Sequence, residues 1–383
     1  MKILKESGVI KKAIVAIGFV CVVGQVNAQL FDNPRNIERV RNAVDHIYNM
    51  ETDLANTYID SVDQVLPEHP VVALLFAMNI LWSNIPDITE LPAFDDFIFY
   101  LNETVRLAQR LDGARQEHPE AIFFEMTAHG LMAEYYADAG NYMKAITEAG
   151  KAYTLIRESD DLPEENPEFY LPQGVYNYFR EKYPERHPSY KPLLWFFKSG
   201  DAELGLNQIK EGCRKGVLTK VESYVYLAYI YLRYEELPQL AQSYLLELSG
   251  IYPGNYYVSA KYLESLAGVN EFEKAEFSHI QKLLDAKKPY YTRAGNAYMG
   301  LYEQVVNENW VKAALYYHMV VDKIDHENQE DDYYVSLSYL GLAKYHMKKG
   351  QNQKAIDYAQ LSMKYAETKE AEQDAKAIIF RLE

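Results

Sequence analysis

Two groups of histidine and carboxylate residues have a spacing that suits metal binding. His318, Asp322 and His326 recur at every fourth residue, so on a helix their side chains share one face. Glu125 and His129 have the same spacing. A protein zinc site takes three or four ligands, and no further ligand follows either group at a suitable distance in the sequence. Solvated helix faces explain both groups better than metal centres, and we expect no metal and no other cofactor.

Other catalytic motifs are absent from the sequence. It contains no His-Glu-x-x-His zinc-protease motif, no phosphate-binding P-loop and no Gly-x-Ser-x-Gly nucleophile turn. No Gly-x-Gly-x-x-Gly dinucleotide motif follows a strand. Cys213 is on a helix face that we expect to pack inside the protein, so its thiol is predicted to be buried and inert. The sequence therefore predicts a protein that is not an enzyme.

The N-terminal segment has the pattern of a bacterial export signal. Four lysines precede an apolar run from Ala13 to Gly24, and Ala28 ends a short stretch with small residues at the cleavage positions. The run is too short to anchor the chain in a membrane. Cys21 offers a lipoprotein alternative, but the residues before it are not the small ones that precede a lipidated cysteine. We expect cleavage after residue 28 and delivery of the remainder to the periplasm, or to the periplasmic face of the outer membrane, of a Gram-negative bacterium, without a transmembrane segment.

The rest of the chain reads as repeated pairs of amphipathic helices. Residues 129–153 contain two helical segments joined by a turn at Gly140-Asn141. Small residues occupy the positions where these segments must cross closely: Ala133, Ala145 and Ala152. The pattern resembles the tetratricopeptide repeat (TPR), a helix-turn-helix unit of about 34 residues. We expect residues 29–383 to form a single all-α domain.

The TPR resemblance implies a more specific architecture for that domain. The repeats would stack as a TPR-like α-solenoid, a right-handed superhelix of about eight helical hairpins. A partly polar helix at the C-terminus would cap it, because the outer face of a terminal repeat meets water. No strand pattern of useful length interrupts the helical register.

A narrower resemblance covers the centre of the chain. The letters QGVYNY at 173–178, LLWF at 193–196 and SGDAELGL at 199–206 occur in that order, with a proline-rich break after the first group. This order resembles the signature of the tetratricopeptide-repeat-protein-39 family, which includes the fungal inclusion body clearance protein. The resemblance implies an adaptor or scaffold without established catalytic residues. The export signal departs from that family, so its lipid-droplet role does not carry over.

An insertion rich in proline and aromatic residues, at about 184–200, separates the two helices of one repeat. It contains Trp195, Phe196 and Phe197. These side chains need a dry environment, so they either plug the concave side of the superhelix or form a pocket or partner contact. The second possibility leads to an alternative function, in which the chain carries an apolar or lipid ligand in a pocket walled by the insertion.

Charge and composition limit the choice of partner. The formal net charge of -16 opposes binding to nucleic acid and to anionic membranes, and it favours basic partners. The chain has 34 tyrosines but 3 tryptophans, and tyrosine suits both helix packing and a wet binding groove.

The TPR register predicts which side chains face the concave side. These residues are Glu134, Tyr229, Arg233, Glu264, Tyr298, Tyr302 and Lys344. The basic residues and asparagines that hold a terminal carboxylate in chaperone-binding TPR proteins are absent from these positions. The remaining surface is rich in tyrosine and has mixed charge, which suits an extended or helical peptide. We therefore expect an exported, non-catalytic scaffold that binds a protein or peptide on its concave face.

Overall fold

A computed structural model describes residues 30–113, 118–159, 161–186, 188, 191, 197–324 and 332–383. These residues form eighteen α-helices and short 3-10 helices, and they include no β-strand. Among the helices in these ranges, none combines the length and the apolar character that crossing a lipid bilayer requires. The predicted export signal at 1–28 lies outside the described residues.

Sixteen of the α-helices pack as eight pairs of chain neighbours. The pairs are α1 (Pro34–Tyr48) with α2 (Thr52–Asp63), α3 (Pro70–Asn84) with α4 (Ala93–Asp112), α5 (Pro119–Asp138) with α6 (Tyr142–Glu158), α8 (Tyr170–Arg186) with α9 (Ala202–Lys215), α10 (Lys220–Arg233) with α11 (Pro238–Ile251), α12 (Tyr256–Gly268) with α13 (Phe277–Asp285), α14 (Pro289–Val305) with α15 (Trp310–Val321), and α16 (Tyr333–Lys348) with α17 (Asn352–Lys364). The short α7 (Leu162–Glu165) does not belong to any pair, and α18 (Lys369–Leu382) packs on α16 and α17. The prediction of an all-α fold built from repeated helix pairs is confirmed.

Local sequence signals set the ends of these helices. Five of the α-helices begin with proline, which has no N–H and is tolerated where the first turn leaves N–H groups unbonded. Gly140 and Gly350 follow α5 and α16 with φ of +72° and +69°, a conformation that glycine adopts without strain. α8 ends at Arg186, so the break before the insertion comes slightly later than residue 184.

Two glycines allow α8 and α9 to cross closely. A Cβ atom on Gly205 of α9 would lie 2.6 Å from the backbone nitrogen of Tyr178, and one on Gly174 of α8 would lie 2.7 Å from Cγ1 of Ile209. Both distances are too short for a real side chain, so backbone packs directly on backbone here. The glycines of the central sequence block therefore have a packing role.

Other residues of the same block fix the start of α9. A Cβ atom on Gly200 would lie 2.3 Å from the carbonyl oxygen of Asn177. The Asp201 side chain accepts a hydrogen bond from the backbone N–H of Leu204 at 2.9 Å, which caps α9. The Asn177 amide donates to Gln208 at 2.8 Å. The residues that carry the narrower resemblance thus make the contacts by which α9 packs on α8.

A buried carboxylate fixes the start of α10. Glu168 is 3% exposed and lies in a 3-10 helix before α8. Its carboxylate accepts hydrogen bonds from the backbone N–H groups of Val217 at 2.7 Å and Thr219 at 2.9 Å. The Leu218 N–H and the Thr219 hydroxyl also donate to it. A carboxylate at a helix N-terminus interacts favourably with the helix dipole, so Glu168 anchors α10 to the preceding pair.

The N-terminal helices fold back onto α10 in the middle of the chain. The Glu222 carboxylate on α10 accepts hydrogen bonds from the Tyr48 hydroxyl of α1 at 2.9 Å and from the indole N–H of Trp82 on α3 at 3.0 Å. At the start of α12, the Asn255 amide donates to the carbonyl oxygen of Tyr48 at 2.7 Å. First helices from several pairs therefore face one another around α10.

Replacing Gly205 by alanine tests the close crossing of α8 and α9. The added methyl group has no space, so we expect Gly205→Ala to lower the free energy of unfolding by about 2 kcal/mol. Gly150, in the middle of α6, has open space around its Cβ position. Gly150→Ala is the matched control and should raise stability by about 0.5–1 kcal/mol. Equal effects of the two changes in denaturant unfolding would contradict the crossing.

Glu168→Gln tests the anchor of α10. The amide places an N–H₂ group among N–H donors and removes the charge, so we expect a loss of about 2–4 kcal/mol of stability. Glu165→Gln, at an exposed position of α7, is the control and should change stability by less than about 0.5 kcal/mol. Urea unfolding of both variants gives the comparison, and a neutral effect at position 168 would refute the anchoring role.

Candidate functional site

One face of α10 presents polar side chains to the neighbouring first helices. Glu222, Tyr226, Tyr229 and Arg233 follow one another at steps of four, three and four residues, so they share this face. The Tyr226 hydroxyl donates to Glu134 of α5 at 2.6 Å, which bridges helices from two different pairs. We call the space bordered by α5, α10 and α12 the central cleft.

One end of the central cleft is acidic. The Glu134 side chain reaches solvent within the cleft. The protein that surrounds it still removes part of its hydration, and this desolvation raises its pKa to about 7. The Tyr226 hydrogen bond opposes this rise, and the charges of Asp138 and Glu222 add to it. Burial also raises the pKa values of Asp138 and Glu222. Burial and neighbouring negative charges both favour the protonated, neutral form of a carboxyl group.

The other end of the cleft holds a closed network of ion pairs. Arg233 pairs with Glu264 of α12, and its second amino group lies 2.7 Å from Glu367. Lys261 lies 2.9 Å from Glu264. Burial raises the pKa of Glu264, but Arg233 and Lys261 outweigh that effect and bring it to about 2. The two positive charges and two negative charges balance within the network. The network therefore joins helices to one another and needs no charged partner.

A small pocket opens beside Tyr229, between the acidic end and the ion pairs. Its volume is about 10 Å³, which is about the space of one water molecule. Tyr229, Arg233, Tyr257 and Lys261 line it together with five aliphatic residues: Val225, Ala228, Leu232, Leu245 and Val258. Small-molecule pockets span roughly 300–1,000 Å³. This pocket is therefore too small for a lipid or for the side chain of a partner.

The structure brings together four of the seven residues predicted to face a partner. Glu134, Tyr229, Arg233 and Glu264 all border the central cleft. Tyr229 is 42% exposed, whereas Arg233 and Glu264 are buried within their ion pairs at 8% and 3% exposure. A partner in the cleft would therefore meet Tyr229 and Glu134 directly.

The other three predicted residues have different surroundings. Tyr298 is fully buried and its hydroxyl donates to the carbonyl oxygen of Ala260 at 2.9 Å, so it has no surface to offer a partner. Tyr302 is half-buried, and its ring lies 5.9 Å from that of Phe277. Lys344 forms an ion pair with Asp374 of α18 at 3.0 Å.

Four cleft residues were missed by the sequence reasoning: Glu222, Tyr226, Tyr257 and Lys261. Helical spacing held the signal that finds them. Tyr226 precedes Tyr229 by three residues, and Lys261 precedes Glu264 by three. On both α10 and α12, the residues that border the cleft extend over two helical turns or more. The repeat register had marked only one or two positions on each of these helices.

The aromatic insertion is described only in part. Trp195 and Phe196 lie outside the described residues. The ring of Phe197 lies 5.0 Å from that of Tyr153 on α6, edge to face, and its carbonyl oxygen accepts a hydrogen bond from Arg180 of α8. The described end of the insertion thus packs on α6 and α8, away from the pocket beside Tyr229.

The groups considered as metal ligands do not assemble into a site within the described residues. The His318 and Asp322 side chains are exposed, 3.2 Å apart, and His326 lies outside the described ranges. Across those ranges, no group of three or more histidine, cysteine, aspartate and glutamate residues has the geometry to hold a metal ion.

Two further residues that are capable of chemistry are engaged in packing. His129 is buried at 4% exposure, with one ring nitrogen 2.6 Å from Glu148 and the other 3.7 Å from Glu125. The contact with Glu148 joins α5 to α6, and the contact with Glu125 lies within α5. Cys213 is buried, as predicted, and burial raises the pKa of its thiol to about 12. The thiol is therefore protonated and unreactive at neutral pH.

The surroundings of Glu134 predict a pH-dependent effect of Glu134→Gln. The pKa of Glu134 is higher in the folded chain than its ordinary value of 4.5, so the folded state binds the proton more tightly. The contribution of Glu134 to the free energy of unfolding therefore falls as pH rises from about 5 to about 7. We expect the variant to melt at a higher temperature than the parent at pH ~8 and at the same temperature at pH ~5.

The control for this experiment is Glu203→Gln, at an exposed position of α9. Its effect on melting temperature should not change between the two pH values. Because Asp138, Glu222, Tyr226 and Tyr135 face the same space, the parent retains other titrating groups, and only the difference between variant and parent is informative. A variant that melts below the parent at both pH values would contradict the raised pKa.

Comparison with known proteins does not place the chain in a family. No model of a known protein family matches the sequence. The search of curated proteins likewise found no match. The function of the chain is therefore inferred from its own residues and their arrangement.

Proposed function

We propose that this chain is a non-catalytic scaffold that binds an extended protein or peptide segment in the central cleft. The observation that carries the proposal is the exposed ring of Tyr229, which lies between the acidic end and the pocket. A tyrosine offers a broad apolar face and a hydroxyl at low entropic cost, which is why binding loops are rich in it. Tyr257 and Tyr226 extend the same kind of surface along the cleft.

We further propose that the helix pairs stack as a right-handed, TPR-like α-solenoid formed by residues 29–383. The eight pairs, with α18 after them, support this architecture. Ala145 and Ala152 are buried in α6, as the repeat pattern requires. The order of the central block supports kinship with the tetratricopeptide-repeat-protein-39 family, whose members are thought to act as scaffolds.

Export to the periplasm is part of the same proposal. Its support is the basic and apolar pattern of residues 1–28, which matches a cleavable secretory signal. The partner would then be another exported protein or peptide. The acidic end of the cleft supports a basic partner and disfavours nucleic acid, whose phosphates it would repel.

The alternative function, a carrier of an apolar or lipid ligand, has less support from the described geometry. It depends on the aromatic insertion forming a pocket wall. Phe197, at the described end of the insertion, packs on Tyr153 instead of lining the pocket beside Tyr229. That pocket is also small for a lipid chain. Peptide binding is therefore the function that the geometry supports best.

Selection from a random peptide display library tests the proposed function. We expect the purified full-length protein to enrich a family of related peptides, and we expect Tyr229→Ala to weaken their binding about tenfold or more, since central aromatic contacts dominate such interfaces. Tyr142→Ala is the matched control, because Tyr142 is similarly exposed, at 51%, but lies on α6. Failure to enrich any peptide family, or equal binding by Tyr229→Ala, would overturn the proposal.

A further inference from the structure

We propose that the carboxyl ends of α1 and α3 form a releasable clasp, which closes one end of the central cleft and controls the entry of a partner. The clasp joins these two helix ends to the segments that begin α12 and α14. The control of entry rests on the proposed function, whereas the opening of the clasp does not.

The end of α1 packs against the turn between α11 and α12. The Asn49 side chain accepts a hydrogen bond from the backbone N–H of Gly254 at 2.8 Å, and the Tyr252 hydroxyl donates to Asp45 at 2.8 Å. The two backbones touch at Gly254, where an added Cβ atom would lie 2.5 Å from the carbonyl oxygen of Asn49. A methyl group at this position would therefore push the two segments apart.

The end of α3 packs against the start of α14 in a similar way. Lys288 donates a hydrogen bond to the carbonyl oxygen of Ser83, in the last turn of α3. The Tyr291 hydroxyl donates to the carbonyl oxygen of Ile85 at 2.8 Å. These partners are 205 and 206 residues apart in the chain. The clasp therefore has two parts, which join the N-terminal helix pairs to the second half of the chain.

Trp82 lies where the clasp meets the central cleft. Its indole N–H donates to Glu222 of α10, and its ring lies 6.0 Å, edge to face, from that of Tyr257 on α12. Both α10 and α12 border the cleft. The Trp82 side chain is 1% exposed, so it fills the space between these two helices at the end of the cleft marked by Glu222.

The acceptors at the helix ends make the clasp releasable. The carbonyl oxygens of Tyr48, Ser83 and Ile85 lie at helix ends, where carbonyl groups lack a partner within their own helix. Water replaces the distant donors when the clasp opens, so the net loss for each hydrogen bond is small. Exposure of the Trp82 ring to water opposes opening and keeps the closed state dominant.

Opening of the clasp would admit a partner to the cleft. When the state that binds is only a fraction of the molecules, the apparent affinity falls by that fraction. A change that loosens the clasp, without altering a residue that borders the cleft, should therefore tighten the binding of peptides.

Two variants loosen the clasp by different means. Gly254→Ala inserts a methyl group between the two segments, and Tyr252→Phe removes the hydroxyl group that bonds to α1. Gly250→Ala is the control for the first, because the Cβ position of Gly250 in α11 has open space around it. Tyr244→Phe is the control for the second, because the Tyr244 ring packs within its own helix pair.

Acrylamide quenching of tryptophan fluorescence measures the opening. In the full-length protein, Trp195→Phe and Trp310→Phe leave Trp82 as the single tryptophan, and every protein compared carries both changes. We expect each clasp variant to raise the quenching constant of Trp82 about threefold or more, because the open state becomes more populated. The two controls should leave it unchanged. A cooperative melting transition in each variant excludes unfolding as the cause of a rise.

Peptide affinity measures the control of entry. The probes are fluorescein-labelled peptides selected from the display library with the parent protein. By fluorescence anisotropy, we expect both clasp variants to bind these peptides about threefold or more tightly, as the open fraction rises. The control variants should bind them with the affinity of the parent.

The outcomes separate this inference from the proposed function. If peptides bind but Trp82 is quenched equally in clasp variants and controls, the inference is wrong and peptide binding stands. If quenching rises while peptide affinity is unchanged, the clasp does not control entry, and the inference is again wrong. If no peptide binds the parent or the opened variants, the proposed function fails and the control of entry fails with it.

Discussion

The carboxylate of Glu222 is the point on which the arrangement of the helices depends. It lies on α10 and accepts hydrogen bonds from Tyr48 of α1 and Trp82 of α3, which are far away in sequence. Hydrogen bonds to a charged acceptor are stronger than those between neutral groups, and burial makes leaving them unmade expensive. The N-terminal pairs are thereby held against the middle of the chain. A stack in which each pair touched only its chain neighbours would leave the Tyr48 hydroxyl, the Trp82 indole N–H and the Glu222 carboxylate without these hydrogen bonds.

The same kind of bond explains two features of the composition together. Buried tyrosines recur with a carboxylate as the acceptor for the hydroxyl group: Tyr48 with Glu222, Tyr178 with Glu235, Tyr224 with Glu247 and Tyr252 with Asp45. Each pairing lets a large ring pack in the interior while its hydroxyl finds a partner. The abundance of tyrosine and part of the acidic charge are therefore internal features of the packing. Net charge alone overstates how much negative charge the surface shows to a partner.

The repeated helix pairs could be predicted from sequence because their signals are local. Apolar spacing, glycine turns and prolines at helix starts act within one pair, and they located the turn between α5 and α6 at Gly140-Asn141. Contacts between distant pairs carry no such signal. The register placed Glu134, Tyr229, Arg233 and Glu264 near one another, yet it could not show that Glu264 is already neutralised. Nor could it reveal the partners of Glu222, since the hydrogen bonds from α1 and α3 depend on how tightly the chain coils, which no single repeat encodes.

The two ends of the central cleft balance the charges of their carboxylates in different ways. Burying a charge is costly unless an opposite charge accompanies it, and the chain meets that requirement at Glu264 with two cations. Glu134 at the acidic end has no lysine or arginine partner among the described residues, but its side chain reaches solvent and accepts a hydrogen bond from Tyr226. Water can solvate the charge of Glu134, whereas Glu264 is enclosed by protein and depends on its ion pairs. The cleft therefore combines a solvated acidic end with a closed, neutral end.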